Sequence, residues 1–404
     1  MFRYLSAIIF TSILQLGAIS DARSEEEKVA FSIATLNAEF LSFRKVHLKH
    51  RYDNNGEELR FPFYLKVTDG TAEEVLRSAL TSADKYAGQF INRFNNIDGY
   101  REAVLRWADS DFRANKLLES SKEVAKVIKE VNADVIVLTE VGNKDDLSVL
   151  DKVLKTEGVT YPHIALCKCT DSKTGQYVAV LSKFKFREVL QKVPGKESYL
   201  QEDDDPESEK QTSLSKALRV LFEVEGQLFY LYGLHFRSER GYSEADGQRV
   251  AQASLVRRHY RQLLSSCVSE SSRKLTVSEQ LSDGSCRKKS KPIHVIVAGD
   301  LNDKRGQPTL KRVRGLDDIE PDLIQTGTPD YFENHLLNTR WTYEYKGDRN
   351  QIDHILLSES ILQIHQQPDI RKPGTPSIVA STIDHNNHKA TDHKALKVEV
   401  EFFK

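Results

Sequence analysis

Asn37, Glu140 and His235 each close an apolar run, at residues 31–37, 134–140 and 228–235. Asp300 and Asn302 follow the run at 294–299, Asp353 lies in the run at 352–358, and Asp392 and His393 stand just before the run at 395–403. A carboxylate at the end of a buried strand is costly unless it meets a cation or a hydrogen-bonding partner. On one shared rim these residues would supply what phosphodiester hydrolysis needs: ligands for a divalent metal, a base for the attacking water, donors for the charged transition state and relief for the leaving oxygen. The oxygen-rich mixture suits Mg2+, with Mn2+ or Ca2+ as alternatives, better than zinc. Singly, each residue has a plainer reading, a solvated strand-end Glu or a satisfied core histidine at 235. Their order along the chain carries the weight.

The runs that must position them are short, apolar and rich in β-branched or aromatic residues, and read as strands; 177–182 and 218–224 add two more. Several are apolar throughout, which implies burial on both faces. Ala114, Leu117, Leu118, Val124, Ala125, Ile128 and Val131 repeat at helical spacing just before the Glu140 strand. Similar spacing predicts helices over 72–94 and 244–264. Helices interspersed among strands, with no low-complexity linker, predict one α/β sandwich domain over 25–404. The acidic stretch 201–210 and the polar stretch 265–291 are expected as surface loops.

Composition, 39% hydrophobic and 29% charged, is that of an ordinary globular chain, and a net charge of -1 offers no global field for a polyanion. Nucleic-acid binding would therefore need local cations. Arg44, Lys45, His47, Lys49, His50 and Arg51 form one such cluster, and Arg237, Arg240 and Arg249, in or after the His235 run, are candidates to grip flanking phosphates. Residues 1–24 place Arg3 ahead of an apolar run that contains Gln15 and ends in small residues, the pattern of a secretory signal peptide. The mature chain is expected to be secreted or periplasmic and free of stable membrane association. Cys267 and Cys286 flank the polar stretch and are expected to pair, whereas Cys167 and Cys169 would share a strand face and stay apart.

The ordered set resembles the endonuclease/exonuclease/phosphatase superfamily, whose members include DNase I-like nucleases, neutral sphingomyelinases and inositol polyphosphate phosphatases. The matching pieces are Asn37 with Glu39, the strand to Glu140, the strand 177–182, His235 with Ser238, Asp300 with Asn302 and Asp303, Asp353, and Asp392 with His393. Trp341 to Gly347, shortly before Asp353, is similar to bacterial extracellular nucleases. The resemblance implies a four-layer α/β/β/α sandwich, two packed mixed sheets flanked by helices. The chain departs from the family in a long insertion at about 41–112, expected to be helical, and in lacking a proline after the final Asp-His pair. A glutamate that pairs with the histidine matching His235 in DNase I-like enzymes is not identifiable around 167–175.

The resemblance also assigns roles. Glu140 would be the main metal ligand, Asn37 would hold phosphate or metal nearby, and Asp392 would complete a metal position. Asp300 and Asn302 would orient water and phosphate, His393 aligned by Asp353 would be base or phosphate donor, and His235 would serve the leaving group. Asp384-His385 repeats the last pair upstream but does not lead into the terminal strand, so Asp392-His393 is the expected site pair. Three functions follow: a nuclease acting on DNA or RNA, a lipid or inositol-phosphate hydrolase on the same fold, or a non-catalytic binding protein. The last is disfavoured because no ligand is missing.

Overall fold

The computed structural model describes residues 28–41, 45–51, 58–66, 110–169, 176–201, 206–238, 243–265, 294–304, 307–315, 323–325, 341–345, 347–358, 361, 379–383, 391 and 393–403. The expected signal peptide, Arg44, the expected helix at 72–94, Arg240, Cys267, Cys286, the Asp384-His385 pair and Asp392 lie outside the described residues.

The chain opens with β1 (Lys28–Leu41), β2 (Lys45–Arg51) and β3 (Glu58–Lys66). Helix α1 (Ser110–Val131), β4 (Val135–Val141), α2 (Lys144–Thr156), β5 (His163–Leu166), β6 (Tyr177–Ser182), β7 (Phe186–Leu190), β8 (Glu197–Leu200) and β9 (Glu209–Thr212) follow. Next come β10 (Ala217–Val224), β11 (Gln227–His235), α3 (Ser243–Ser265), β12 (His294–Asp300) and α4 (Pro308–Arg314). The C-terminal part holds β13 (Leu323–Gln325), β14 (Tyr343–Tyr345), β15 (Asp348–Asn350), β16 (Asp353–Ser358), β17 (Val379–Ile383) and β18 (Ala395–Phe403).

Two six-stranded sheets pack face to face, one in the order β17-β18-β1-β4-β6-β5, the other β13-β16-β12-β11-β10-β7. Successive strand residues point to opposite faces, so a strand between two apolar layers must be apolar at every position. In the first sheet Phe31, Ile33, Val135 and Val137 meet Val220, Leu231, Ile296 and Ile355 of the second. The alternate residues Ala34, Leu36, Ile136 and Leu138 pack with Val124 and Ile128 of α1 and Leu150 and Leu154 of α2. On the far side Tyr230, Val295, Val297 and Leu356 pack with Leu255 and Val256 of α3 and Leu310 of α4. The result is the helix, sheet, sheet, helix layering expected, and it explains why those runs show no alternation.

Some elements differ from expectation. Within the 41–112 insertion β2 and β3 form a β-hairpin that was not expected, and the helix expected at 72–94 lies outside the described residues. Leu118 and Ala114 are exposed rather than part of the α1 stripe; Leu118 lies about 100° round the helix from buried Leu117. The end of the acidic 201–210 stretch is β9, paired with β8, a strand too polar to leave an apolar signal. Cys167 and Cys169 are disulfide-bonded. β5 stops at Leu166 and the chain contracts, leaving their Cα atoms 5.2 Å apart, within disulfide reach and below the roughly 6.6 Å of an extended pair.

Candidate active site

Strand direction gathers the polar residues. β1 and β4 run parallel, as do β11 and β12, so Asn37, Glu140, His235 and Asp300 come at or near the ends of strands that point to one rim. β16 is antiparallel to β12 and β18 to β1, so Asp353, which begins β16, and His393, just ahead of β18, arrive at the same rim from the other direction. Register sets His235 beside Asp300, and Asp300 beside Asp353.

Glu140 owes its position to a break in the sheet. Pairing slips between Asn37 and Leu41 on one side of β4 and between Leu138 and Val141 on the other. At that level Glu39 and Glu140 take φ of 41° and 58°. A left-handed non-glycine residue costs about 1–2 kcal/mol, and such strain gathers at functional sites. The turn is then clamped. Gly142 N–H donates to Leu41 O at 2.6 Å, and Asn143 and Asp146 form a capping box at the start of α2. On the other sheet Gly299 has φ 140°, and a Cβ there would run into the Leu234 carbonyl, so glycine lets β12 close on β11 just before Asp300.

The side chains meet in a buried network. The Asn37 amide donates to Asp300 Oδ2 at 3.1 Å, and Asn302 N–H donates to Asp300 Oδ1 at 2.8 Å. Asn37 Oδ1 in turn accepts from Glu39 N–H at 3.0 Å, and the Asn302 amide donates to Phe236 O at 3.2 Å. In this arrangement both asparagines hold Asp300. Asp353 Oδ2 and His393 Nδ1 are 2.7 Å apart, and the His393 ring lies 4.8 Å from that of Tyr343. His235 Nε2 stands 3.8 Å from Glu140 Oε1 and 3.9 Å from Asp300 Oδ2. Its Nδ1 is buried with no hydrogen-bond partner among the described residues.

Electrostatics follow from that packing. Burial, and then the nearby Asp353 and Glu140 carboxylates, push Asp300 up to about 8, against the opposing pull of His393 and the Asn302 N–H. Burial, with Lys216 and His393 nearby, holds His235 well below the ordinary histidine range, so its imidazole is neutral. Glu140, His235 and Asp300 form one cluster able to hold a metal ion, and Asp300, Asp353 and His393 another, the ligand atoms of each lying within 4.8 Å. Carboxylates crowded enough to favour a proton on Asp300, with Asp353 Oδ1 lacking a hydrogen-bond partner among the described residues, fit a hard divalent cation.

The model of the endonuclease/exonuclease/phosphatase family matches residues 96–393. The chain belongs to this family. Its layered fold is the DNase I-like sandwich of the endonuclease/exonuclease/phosphatase proteins. Solved structures similar to it include truncated Caenorhabditis elegans TDP2, with TM-score 0.40 and 17% identity over 72% of this chain and 92% of that one. Staphylococcus aureus beta toxin with bound magnesium ions gives TM-score 0.41 and 15% identity over 71% and 92%. An endonuclease/exonuclease/phosphatase from Bacteroides vulgatus gives TM-score 0.44 and 12% identity over 93% and 100%. No curated protein sequence matches the chain.

Of the expected phosphate contacts, Arg249 is turned inward. Arg249 is buried and ion-paired with Asp246, and its Nη1 donates to Arg237 O at 3.3 Å, so it braces the chain after β11 instead of reaching outward. Arg237 is exposed, its N–H held by the Gln252 side chain at 3.0 Å. Lys45 begins β2, opposite Lys66 of β3. Three residues that the sequence reading passed over join the rim. The Thr342 hydroxyl accepts from the N–H groups of Ile352 and Asp353, both at 3.1 Å, and so anchors the start of β16. Gln176 precedes β6, and Lys216 precedes β10; Lys216 Nζ donates to Gln176 Oε1 at 2.6 Å. The available signal was positional: both stand just ahead of apolar runs whose strands run antiparallel to β4 and β11.

Proposed function

We propose that this chain is a divalent-metal-dependent phosphodiesterase that hydrolyses nucleic acid, cutting internally, and is exported by its N-terminal segment. The observation that carries the reading is the Asp353–His393 pair, 2.7 Å apart, set on one rim with Asp300 and Glu140. With Nδ1 committed to Asp353, proton transfer at His393 runs through Nε2, as a base for the attacking water or a donor to phosphate. Asp353 fixes the ring and stabilises its protonated form. Asp300, held at both oxygens by Asn37 and Asn302, orients the water. Neutral His235 serves the leaving oxygen as a hydrogen-bond donor. Glu140 and Asp300, with Asp392 by family resemblance, would hold Mg2+, which supplies charge neutralisation at the phosphate.

Nucleic acid is favoured over lipid or inositol phosphate by the Trp341 to Gly347 pattern and by the basic segment around Arg44 and Lys45. Register pairs Lys45 with Lys66 and Lys49 with Arg60, so the second strand of the hairpin brings further cationic residues to that segment. The test is a panel of duplex DNA, closed-circular DNA, single-stranded DNA, RNA, sphingomyelin and inositol polyphosphates with Mg2+, using His393→Ala as background. Cleavage of lipid or inositol phosphate with nucleic acids untouched would overturn the substrate assignment.

A further inference from the structure

Three carboxylates, Glu140, Asp300 and Asp353, crowd the rim, and a phosphodiester that approaches them is itself an anion. The site therefore needs fixed positive charge aimed at the substrate. The arginines expected to supply it do not stand out: Arg249 is spent on Asp246, and Arg237 is exposed, its backbone N–H held by Gln252.

Lys216 is placed differently. It sits in the turn before β10, and its carbonyl accepts the backbone N–H of His235 at 3.0 Å, which fixes the lysine backbone beside the histidine. Its ammonium donates to Gln176 Oε1 at 2.6 Å, across the gap between the two sheets. Gln176 is buried and directly precedes Tyr177, the residue of β6 that pairs with Val141, next to Glu140. The positive charge is thus tied back between the His235 and Glu140 ends of the rim, and its field reaches His235. The partner's chemistry matters. The amide is neutral, so this bond orients the ammonium, whereas a glutamate of the same shape would pair with its charge.

We propose that Lys216, oriented by Gln176, is a phosphate-binding residue of this site, contacting a non-bridging oxygen of the scissile or adjoining phosphate on the His235 side. The proposal rests on the phosphodiesterase reading for its substrate but has a separate readout. Binding of inorganic phosphate in Mg2+ is measured by calorimetry on the full chain, wild type against Lys216→Met, Lys216→Arg, Gln176→Glu and Gln176→Ala, with circular dichroism as the folding check. Loss of one charge-assisted contact corresponds to about tenfold weaker binding. Lys216→Met and the nearly isosteric Gln176→Glu should both show it, Lys216→Arg should stay within about threefold, and Gln176→Ala should fall between. Steady-state kinetics on an oligonucleotide should show the loss chiefly in KM. Wild-type affinity retained by folded Lys216→Met, or no phosphate binding by the wild type, overturns the proposal. Phosphate binding that depends on Lys216, in a protein that cleaves no phosphodiester, supports the lysine's role and overturns the phosphodiesterase reading instead.

Discussion

The amide of Asn37 donates to Asp300 Oδ2 at 3.1 Å, joining the first sheet to the second at the rim. The bond places a neutral donor on a carboxylate that burial and its neighbours push up to about 8. Asp300 therefore holds a proton more tightly folded than unfolded. That contribution to stability is complete below the unfolded value near 3.8 and is lost as pH rises towards 8. Without metal, Asp300→Asn should lose less stability than wild type as pH rises from about 4 to about 8 in urea titrations. Added Mg2+ should stabilise wild type much more than the variant. A variant whose stability falls as steeply over that range as wild type would contradict this account of the rim.

His393 and Asp353 should act as a unit. His393→Ala is expected to lower kcat on the best substrate by about 10²–10⁴-fold and Asp353→Asn by a comparable factor, the double variant being little worse than either single one. Additive losses would show that the two residues contribute separately.

Thr342 offers a control on positioning. Thr342→Val keeps the shape but leaves the N–H groups of Ile352 and Asp353 without the hydroxyl they share, a loss of about 1–3 kcal/mol in stability. Because Asp353 moves with its backbone, activity should fall as well, and Thr342→Ser should restore both. Rescue of stability without rescue of kcat would sever the link between this hydroxyl and the site.

Acid should weaken the fold partly through His294, at the start of β12. Burial holds it down to about 4, and its ring lies 5.0 Å from that of Phe229. The neutral ring's contribution is complete above the unfolded value of 6.5 and is lost as pH falls towards 4, a difference of about 3 kcal/mol. His294→Phe should flatten the stability profile between pH 6.5 and 4. An unchanged slope would assign the acid sensitivity elsewhere.

The sequence shows the strands that are buried on both faces, because burial on both sides forces apolar residues at every position, and it shows the residues at their ends. It hides what depends on pairing. Lys216 and Gln176 are marked only by standing just ahead of apolar runs; they matter because β10 and β6 run antiparallel to β11 and β4, which brings first residues to the rim where others bring last ones. Arg249 has the right type and neighbourhood, but the turn of α3 carrying Asp246 takes it up. The Cys167–Cys169 bond depends on where β5 stops, a boundary with no marker in the residues themselves.

Strand β18 pairs with β1, and β1 in turn with β4, so segments more than 350 residues apart in the chain lie side by side in one sheet. His393 travels with β18. Asn37, Glu140, His235 and Asp300 stand on β1, β4, β11 and β12, whereas the ring that completes the Asp353 pair arrives with β18. The pair therefore depends on one strand holding its register against β1, and loosening that seam would cost the chemistry before it cost the two sheets.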